Sequence, residues 1–332
     1  MSAPIKFKAD NPFSTEICNS DYFLEFSKIW QEGEKKPFAT GRLRVSVLDT
    51  CNLDCDYCYN EGIFDVEKKR MSPSDLEKIL SAIRSEIKSI KIVGGEPLLH
   101  PEILDLLKIS KRYAPTTITT NGILLEKYAK AINELGIDGV TVSLDDVNPK
   151  CFRTLTKTNP ILYQKVLDGI SALIETGYNS KLIQINAVVS KQNFRNLEHI
   201  VDLASKLGLG KVNLMNFIKI DRVNEADIVA PEEIEKYVEL RAESSEYVSA
   251  SRHRYKINNM DVDVVWQYCT LGCHICKTEG FVRVTPSNEF KYCIAGNAGV
   301  SFERELRSDD VKGIKERFYE ALSQMGCFKP SK

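Results

Sequence analysis

The sequence lacks several features that would place the protein at a membrane or on nucleic acid. No uninterrupted apolar run approaches the roughly 20 residues that cross a bilayer, and residues 1–19 lack the apolar core of a signal peptide. The net charge is only -1, so no long-range field favours nucleic acid or an anionic membrane. With 18 Gly and 12 Pro in 332 residues, low-complexity disorder is excluded. We therefore expect a folded cytoplasmic protein with neither partner.

From residue 42 onward, short β-branched apolar runs alternate with amphipathic stretches, a pattern typical of parallel sheets with helical crossovers. The predicted fold class is α/β, with six units forming a curved, open (β/α)6 partial barrel, an incomplete TIM-like barrel. Ligands are then expected at the carboxyl ends of the strands. A helix is predicted from the capping signal Ser72-Pro73-Ser74, with its apolar face reaching Ile87. The strands are predicted at 43–48, 90–93, 116–119, 139–143, 182–189 and 212–218.

The pattern changes after Ile218. A charged helix is predicted over 231–248, with the charge run of 232–252 as a solvated helix face, followed by strand-like runs at 255–257, 262–266, 281–285 and 290–293. The sequence therefore predicts three regions: an N-terminal extension, 1–40; a core partial barrel, 41–220; and a small C-terminal domain, 221–332.

Three of the ten cysteines follow the first strand in a Cys-x3-Cys-x2-Cys loop, namely Cys51, Cys55 and Cys58. Three thiolates can hold three irons of a cubane and leave the fourth iron for a non-protein ligand. A zinc site would need a fourth ligand. The spacing therefore favours an iron–sulfur cluster over zinc or three unrelated thiols.

This loop, with Tyr57 before its third cysteine, resembles the radical S-adenosylmethionine (radical SAM) superfamily, as does Gly94-Gly95-Glu96-Pro97 after the second strand. The resemblance implies that a [4Fe-4S] cluster on the three cysteines reductively cleaves S-adenosylmethionine, and that the resulting 5'-deoxyadenosyl radical abstracts a hydrogen atom from a substrate. The glycines would allow close backbone approach, and Glu96 would offer its carboxylate to the methionyl amino group.

Segments 42–52, 119–122, 142–145 and 186–189 more narrowly resemble the MoaA-like GTP 3',8-cyclase branch, whose members carry a twitch/SPASM-type auxiliary domain. By this resemblance, the cofactor-binding residues are Tyr57, Gly94, Gly95, Glu96, Pro97, Ser143, Asn186 and Ile218. The substrate residues are Arg44, Lys91, Thr119, Gln184 and Arg283.

Three departures from that branch indicate a different substrate. Gln184 stands where a lysine is expected, Phe281 stands where an arginine is expected, and the Gly-Gly carboxyl tail is missing. We predict a radical SAM enzyme acting on an anionic nucleotide- or sugar-like small molecule. The alternatives are the GTP cyclase itself, a peptide-modifying maturase, and a non-catalytic zinc or iron–sulfur module.

A second cysteine group comprises Cys269, Cys273, Cys276 and Cys293. It resembles the auxiliary-cluster motif, which implies a second [4Fe-4S] cluster, although a four-cysteine zinc knuckle has the same ligand types. A fourth thiolate from Cys269 would close the cluster to substrate.

An external electron donor of the flavodoxin or ferredoxin type is also expected. For the acidic pair Asp145-Asp146, two roles are possible: a contact to ribose hydroxyls or a helix cap.

Overall fold

The computed structural model describes residues 41–59, 69–217, 224–266, 279–293 and 299–325. Twelve strands lie in these ranges: β1 Arg42–Ser46, β2 Ser89–Val93, β3 Thr116–Thr120, β4 Gly139–Ser143, β5 Ile183–Val188, β6 Lys211–Met215, β7 Ser244–Ser249, β8 Arg252–Ile257, β9 Met260–Val265, β10 Val282–Val284, β11 Glu289–Lys291 and β12 Gly299–Ser301. Nine α-helices accompany them in the same ranges: α1 Pro73–Ala82, α2 Ile103–Tyr113, α3 Leu125–Glu134, α4 Pro149–Thr156, α5 Ile161–Glu175, α6 Leu197–Lys206, α7 Pro231–Glu239, α8 Glu303–Arg307 and α9 Val311–Gln324.

Strands β1 to β6 pair consecutively and all in parallel, with α-helices in the connections, so the predicted α/β architecture is confirmed. Each of the six predicted strands overlaps an observed one. Helix α1 begins as predicted, because Ser72 caps it by accepting from the amide of Asp75 at 3.1 Å. It ends at Ala82, earlier than the apolar periodicity indicated, yet Ile83 and Ile87 remain buried. Among the described helices, none is long and apolar enough to span a bilayer.

The chain after residue 224 extends the same sheet at both edges. Strand β9 joins β6 in parallel, with β8 and β7 beyond it, while β10 joins β1 in parallel, with β11 and β12 beyond it. The resulting order is β12-β11-β10-β1-β2-β3-β4-β5-β6-β9-β8-β7. The separate C-terminal iron–sulfur domain stays a prediction, because Cys269, Cys273 and Cys276 lie outside the described residues.

The helix predicted over 231–248 is wrong in its second half. Helix α7 ends at Glu239, and residues 244–249 form β7, which pairs antiparallel with β8. The charge run of 232–252 is therefore divided between a helix and a strand. Strand β8 in turn pairs with β9 through a turn at Asn258 and Asn259, whose φ values of 50° and 59° suit asparagine. Backbone pairing within this three-stranded unit outweighs the helical preference of the charged segment.

Burial alternates along the strands, which gives the sheet an apolar face and a polar face. On the apolar face, Val45, Ile92 and Ile185 have 0% exposure and belong to the core shared with the helices. The polar face carries aligned hydrophilic residues. One row of register partners crosses β3, β4, β5, β6 and β9 and consists of Thr119, Thr141, Gln184, Lys211 and Asp261.

Glu279 connects two distant parts of this sheet. Its carboxylate accepts from the hydroxyls of Ser249 and Ser251 and from the amide of Ala250, at 2.7–2.8 Å, all in the turn between β7 and β8. Its carbonyl oxygen accepts from the guanidinium of Arg42 at the start of β1. The sheet must therefore curve until its distant parts meet, as a partial barrel requires.

Candidate active site

The three cysteines of the first group lie in the loop directly after β1. The amide of Cys58 donates to the carbonyl of Cys55 at 3.1 Å, and the amide of Leu53 donates to Cys51 Sγ at 3.4 Å. Desolvation raises the pKa of Cys51 to about 11 and raises that of Cys55 well above its ordinary value, with mutual repulsion among the thiolates adding to both. A metal bound by these thiolates would offset their charge and so favour the ionised form.

The Gly94-Gly95 segment lies directly against the cysteine loop. The amide of Gly95 donates to the carbonyl of Leu48 at 2.8 Å, and the amide of Glu96 donates to that of Thr50 at 2.9 Å. A Cβ atom on Gly95 would lie 2.2 Å from the Thr50 carbonyl oxygen. Only glycine permits this approach, so the second strand fixes the position of the cysteine loop.

Glu96 is fully buried and its carboxylate binds protein donors. It accepts from the amides of Leu98 and Asn121, at 2.9 and 2.6 Å, and from the hydroxyl of Thr120 at 2.7 Å. Burial raises its pKa to about 7, partly offset by these donors. In the described structure Glu96 thus braces the loop after β3, and its contact with a methionyl amino group stays a prediction.

Asn121 extends this bracing to the first cysteine. Its side-chain amide donates to Asn52 at 2.7 Å and approaches Cys51 Sγ at 3.9 Å. Pro97, the last member of the glycine segment, begins a 3-10 turn over residues 97–99, of which Pro97 and Leu98 are buried. The loops after β1, β2 and β3 therefore form one hydrogen-bonded unit around the thiols.

Tyr57 links the cysteine loop to the far side of the sheet. Its hydroxyl donates to Asp145 after β4, and the other Asp145 oxygen accepts from the amide of Val188 at 2.8 Å. The Tyr57 ring also lies 5.8 Å from that of Phe217. Burial raises the pKa of Asp145 to about 6. The neighbouring Asp146 accepts from the amide of Asn148, but Asn148 itself caps α4 through Lys150, so neither member of the acidic pair is the cap of that helix.

The five substrate residues expected from the resemblance all lie on strands of the polar face. Arg44 is the register partner of both Lys91 and Arg283, so three cations stand side by side on β10, β1 and β2. The guanidiniums of Arg44 and Arg283 also lie over the ring of Phe281, at 4.4 and 4.5 Å from its centroid. Phe281 therefore orients two arginines through cation–π contacts instead of supplying a fourth cation.

Three buried polar atoms near this face have no hydrogen-bond partner among the described residues: Ser46 Oγ, Asp49 Oδ1 and Thr119 Oγ1. Leaving such an atom unsatisfied costs about 1–3 kcal/mol. Ser46 ends β1, Asp49 lies in the loop that leads to Cys51, and Thr119 lies on β3. Unsatisfied atoms at this position are typical of a surface that a bound ligand completes.

The remaining expected residues are placed unevenly. Ser143 and Asn186 are register partners on β4 and β5, and Asn186 accepts from Asn213 at 2.8 Å. Cys293 follows β11, but Ile218 lies outside the described residues. The sequence analysis missed the polar residues of β6, β8 and β9, although their alternation at every second position signals the same face. These residues are Lys211, Asn213, Arg252, Arg254 and Asp263.

The cysteine loop fits a cluster better than a single ion. Within the described ranges, no three His, Cys, Asp or Glu side chains are arranged around one metal ion. A cubane does not need that arrangement, since each thiolate binds a different iron. The three cysteine side chains in one short loop, braced by Asn121 and the glycine segment, are a suitable donor set.

Comparisons with known proteins identify the family and the fold. The family model described as "Radical SAM superfamily" matches residues 45–204. A structure of Streptococcus suis SuiB bound to S-adenosylmethionine superposes with a TM-score of 0.60 at 18% identity, covering 95% of this chain and 74% of that one. That likeness supports the fold.

Two curated relatives are closer in sequence. A probable GTP 3',8-cyclase of Methanosarcina acetivorans is 31% identical over 274 residues, 80% of this chain and 81% of its own. One from Methanococcus maripaludis is 33% identical over 260 residues, 76% and 84% of the two chains. The chain therefore belongs to the radical SAM superfamily. Within it, these relatives are similar enough that the expected MoaA-like resemblance is confirmed.

Membership makes the chain an enzyme, so the non-catalytic metal module left open by the cysteine spacing is wrong. The superfamily's cofactors are S-adenosylmethionine and a [4Fe-4S] cluster, for which Cys51, Cys55 and Cys58 are the suitable ligands in this chain. When bound, this pair supplies a one-electron route to a carbon-centred radical.

Proposed function

We propose that this enzyme generates a 5'-deoxyadenosyl radical from S-adenosylmethionine and abstracts a hydrogen atom from an anionic small molecule. The observation that carries the proposal is the cationic row of Arg283, Arg44 and Lys91 on the polar face, below the cysteine loop. Charge-assisted hydrogen bonds to an anion contribute about 1.5–3 kcal/mol each. A nucleotide- or sugar-phosphate-like substrate suits such a row.

In this proposal the chain's residues position and shield the reacting groups. Cys51, Cys55 and Cys58 hold the cluster, while Gly94 and Gly95 keep the backbone of two loops close enough to form one wall. S-adenosylmethionine lies at the carboxyl ends of the strands, near Ser143 and Asn186. The substrate lies beneath, where Thr119 and Gln184 offer neutral polar groups.

The direct test is S-adenosylmethionine cleavage by reduced, anaerobically purified protein. Wild type should form 5'-deoxyadenosine, and replacing Cys51, Cys55 or Cys58 by Ala should abolish it. Cys151→Ala is the matched control, since this thiol lies on α4, outside the cysteine loop, and contacts the carbonyl of Gln192 at 3.6 Å and the carboxylate of Asp146. Turnover in a Cys51→Ala variant would disprove the ligand assignment.

The GTP 3',8-cyclase reaction is the second candidate, favoured by the names of the relatives at 31% and 33% identity. Incubation with GTP tests it, and formation of the 3',8-cyclised product would establish it. Gln184→Lys sharpens the test. If glutamine in place of lysine is what weakens GTP binding at this position, then restoring the lysine should tighten GTP binding. A peptide substrate is the remaining alternative, and turnover of a peptide but no nucleotide would favour it.

A second [4Fe-4S] cluster on Cys269, Cys273, Cys276 and Cys293 is part of the proposal, as is reduction by a flavodoxin- or ferredoxin-type donor. The triple variant of Cys51, Cys55 and Cys58 should then keep about four irons per chain. Cys269→Ala should change the spectrum and oxygen sensitivity of the remaining cluster if that cysteine is its fourth ligand. Two zinc ions per chain and no iron would reject both clusters.

A further inference from the structure

A second group of charged side chains lies on the polar face, on β6, β8 and β9, away from the cationic row on β10, β1 and β2. Its centre is Asp263, whose side chain has 0% exposure. Arg254 donates to both Asp263 oxygens, at 2.8 and 3.2 Å, Lys211 Nζ lies 3.2 Å away, and Arg252 donates to the same carboxylate. One carboxylate thus faces three cations.

Counting the neighbouring charges leaves a positive surplus on β6 and β8. Lys256 pairs with Asp261, and Arg254 also lies 3.7 Å from Glu246. Lys211 and Arg252 share the single negative charge of Asp263 with Arg254. Burial lowers the pKa of Lys211, whereas the surrounding cations keep the pKa of Asp263 below its usual value. A surplus charge in a partly buried site is costly unless an anion accompanies it.

Arg252 has donors to spare. Its Nη1 donates to Asn213 at 2.8 Å and to Asp263, while Nε and Nη2 donate to no acceptor in the described part of the chain. Its side chain is 28% exposed. Arg252 pairs in register with Val265, and Val265 pairs with Met215, so it lies level with the carboxyl end of β6. The free side of the guanidinium is therefore at the same edge of the sheet as the cysteine loop.

Amide side chains hold this guanidinium in place. Asn213 accepts from Arg252 and donates to Asn186 at 2.8 Å, which connects Arg252 to the row that includes Ser143. A guanidinium with one nitrogen anchored and two nitrogens unoccupied matches the two oxygens of a phosphate or carboxylate. The anchoring also reduces the conformational entropy lost on binding.

We propose that Arg252 and Lys211 form a second anion-binding subsite, which takes a phosphate or carboxylate group of the substrate. The inference rests on the proposed function only in assigning that group to the substrate. Strands β2 and β6 are four strand spacings apart, roughly 19 Å along the sheet and less across its curvature. The substrate would then carry two separated anionic groups, one for each side of the polar face.

The test measures anion binding without reductant or S-adenosylmethionine, by calorimetry on the full chain at constant ionic strength. Inorganic pyrophosphate and citrate are the probes for phosphate and carboxylate. All proteins carry Lys91→Met, which weakens the first cationic row. In this background Arg252→Met and Lys211→Met should each weaken the better probe at least tenfold. Arg241→Met, which removes an arginine paired with Glu198 at 2.9 Å on the helix side, should not.

Thermal unfolding establishes whether each variant is folded. If Arg252→Met does not fold, the test rests on Lys211→Met. The subsite is rejected if neither probe binds, if Arg252→Met and Lys211→Met bind as well as the parent, or if Arg241→Met loses as much affinity as they do. Wild-type 5'-deoxyadenosine formation is assayed separately. Its absence would reject the proposed function and leave the anion-binding result standing.

Discussion

The two faces of the central sheet differ in what they contribute. On the apolar face, residues such as Ile185 are completely buried and pack against helices. On the polar face the neighbouring Gln184 and Asn186 are partly exposed and belong to rows of hydrophilic register partners. Because adjacent residues of one strand point to opposite faces, stability and ligand binding are separated by a single position. Substitutions along one strand can therefore separate the two properties.

Asp263→Asn should be an exception to this separation of stability from ligand binding, because it changes the polar face and yet should strongly lower the stability of the fold. Removing the carboxylate leaves Lys211, Arg252 and Arg254 without their shared partner, and disrupting a buried ion pair costs about 3–5 kcal/mol. Denaturant unfolding measures the loss. Asp261→Asn is the control and should cost much less, since Asp261 is 28% exposed and pairs mainly with Lys256. Equal losses in the two variants would contradict the role assigned to Asp263.

A pair of neighbouring substitutions on β5 should sharpen the comparison. Ile185→Ala removes fully buried apolar volume and should lower the free energy of unfolding by about 2–5 kcal/mol. Gln184→Ala should cost about 1 kcal/mol or less, because the only hydrogen bond described for its side chain is one of 3.5 Å from Asn213. Urea titrations of both variants provide the measurement. Similar losses would mean that the polar face also supports the core.

Tyr57→Phe tests a contact that joins the cysteine loop to the end of β4. Asp145 would lose the Tyr57 donor while remaining buried, at a cost of about 1–3 kcal/mol. The freed loop should also take up iron more slowly during reconstitution, because its third cysteine follows residue 57. Tyr163→Phe, on α5, is the control. Unchanged uptake in Tyr57→Phe would show that the glycine segment alone positions the loop.

The smallest expected effect is a difference in stability between wild type and Asp263→Asn at acid pH. Burial raises the pKa of Asp263, but the bond from Arg254 and the charges of Arg252 and Lys211 lower it further, for a net decrease from 3.8. A carboxyl group with a lowered pKa stabilises the fold above pH 3.8, and this contribution is lost as the pH falls toward the folded-state value. Wild type should therefore lose more stability than Asp263→Asn below that pH. Parallel acid-unfolding curves would contradict the ion-pair assignment.

The six core strands were predictable because β-branched runs and capping signals act locally. The glycine segment and the three cysteines were also readable, since their spacing is part of the motif. Strand β7 was missed because its segment continues the charge pattern of the preceding helix, and only pairing with β8 fixes it as a strand. The group around Asp263 could not be found without strand order, because Lys211 and Arg252 become neighbours through β9.

The link between Arg42 and Glu279 has a consequence for how the chain reaches its native state. These residues are 237 positions apart, and β10, which covers the outer edge of β1, follows Glu279 closely in the chain. During synthesis β1 and β2 can pair long before β10 exists, which leaves one edge of the growing sheet open to wrong partners. Contacts of such long separation also slow folding. We infer that nascent chains of this enzyme are most prone to aggregation before residue 284 leaves the ribosome.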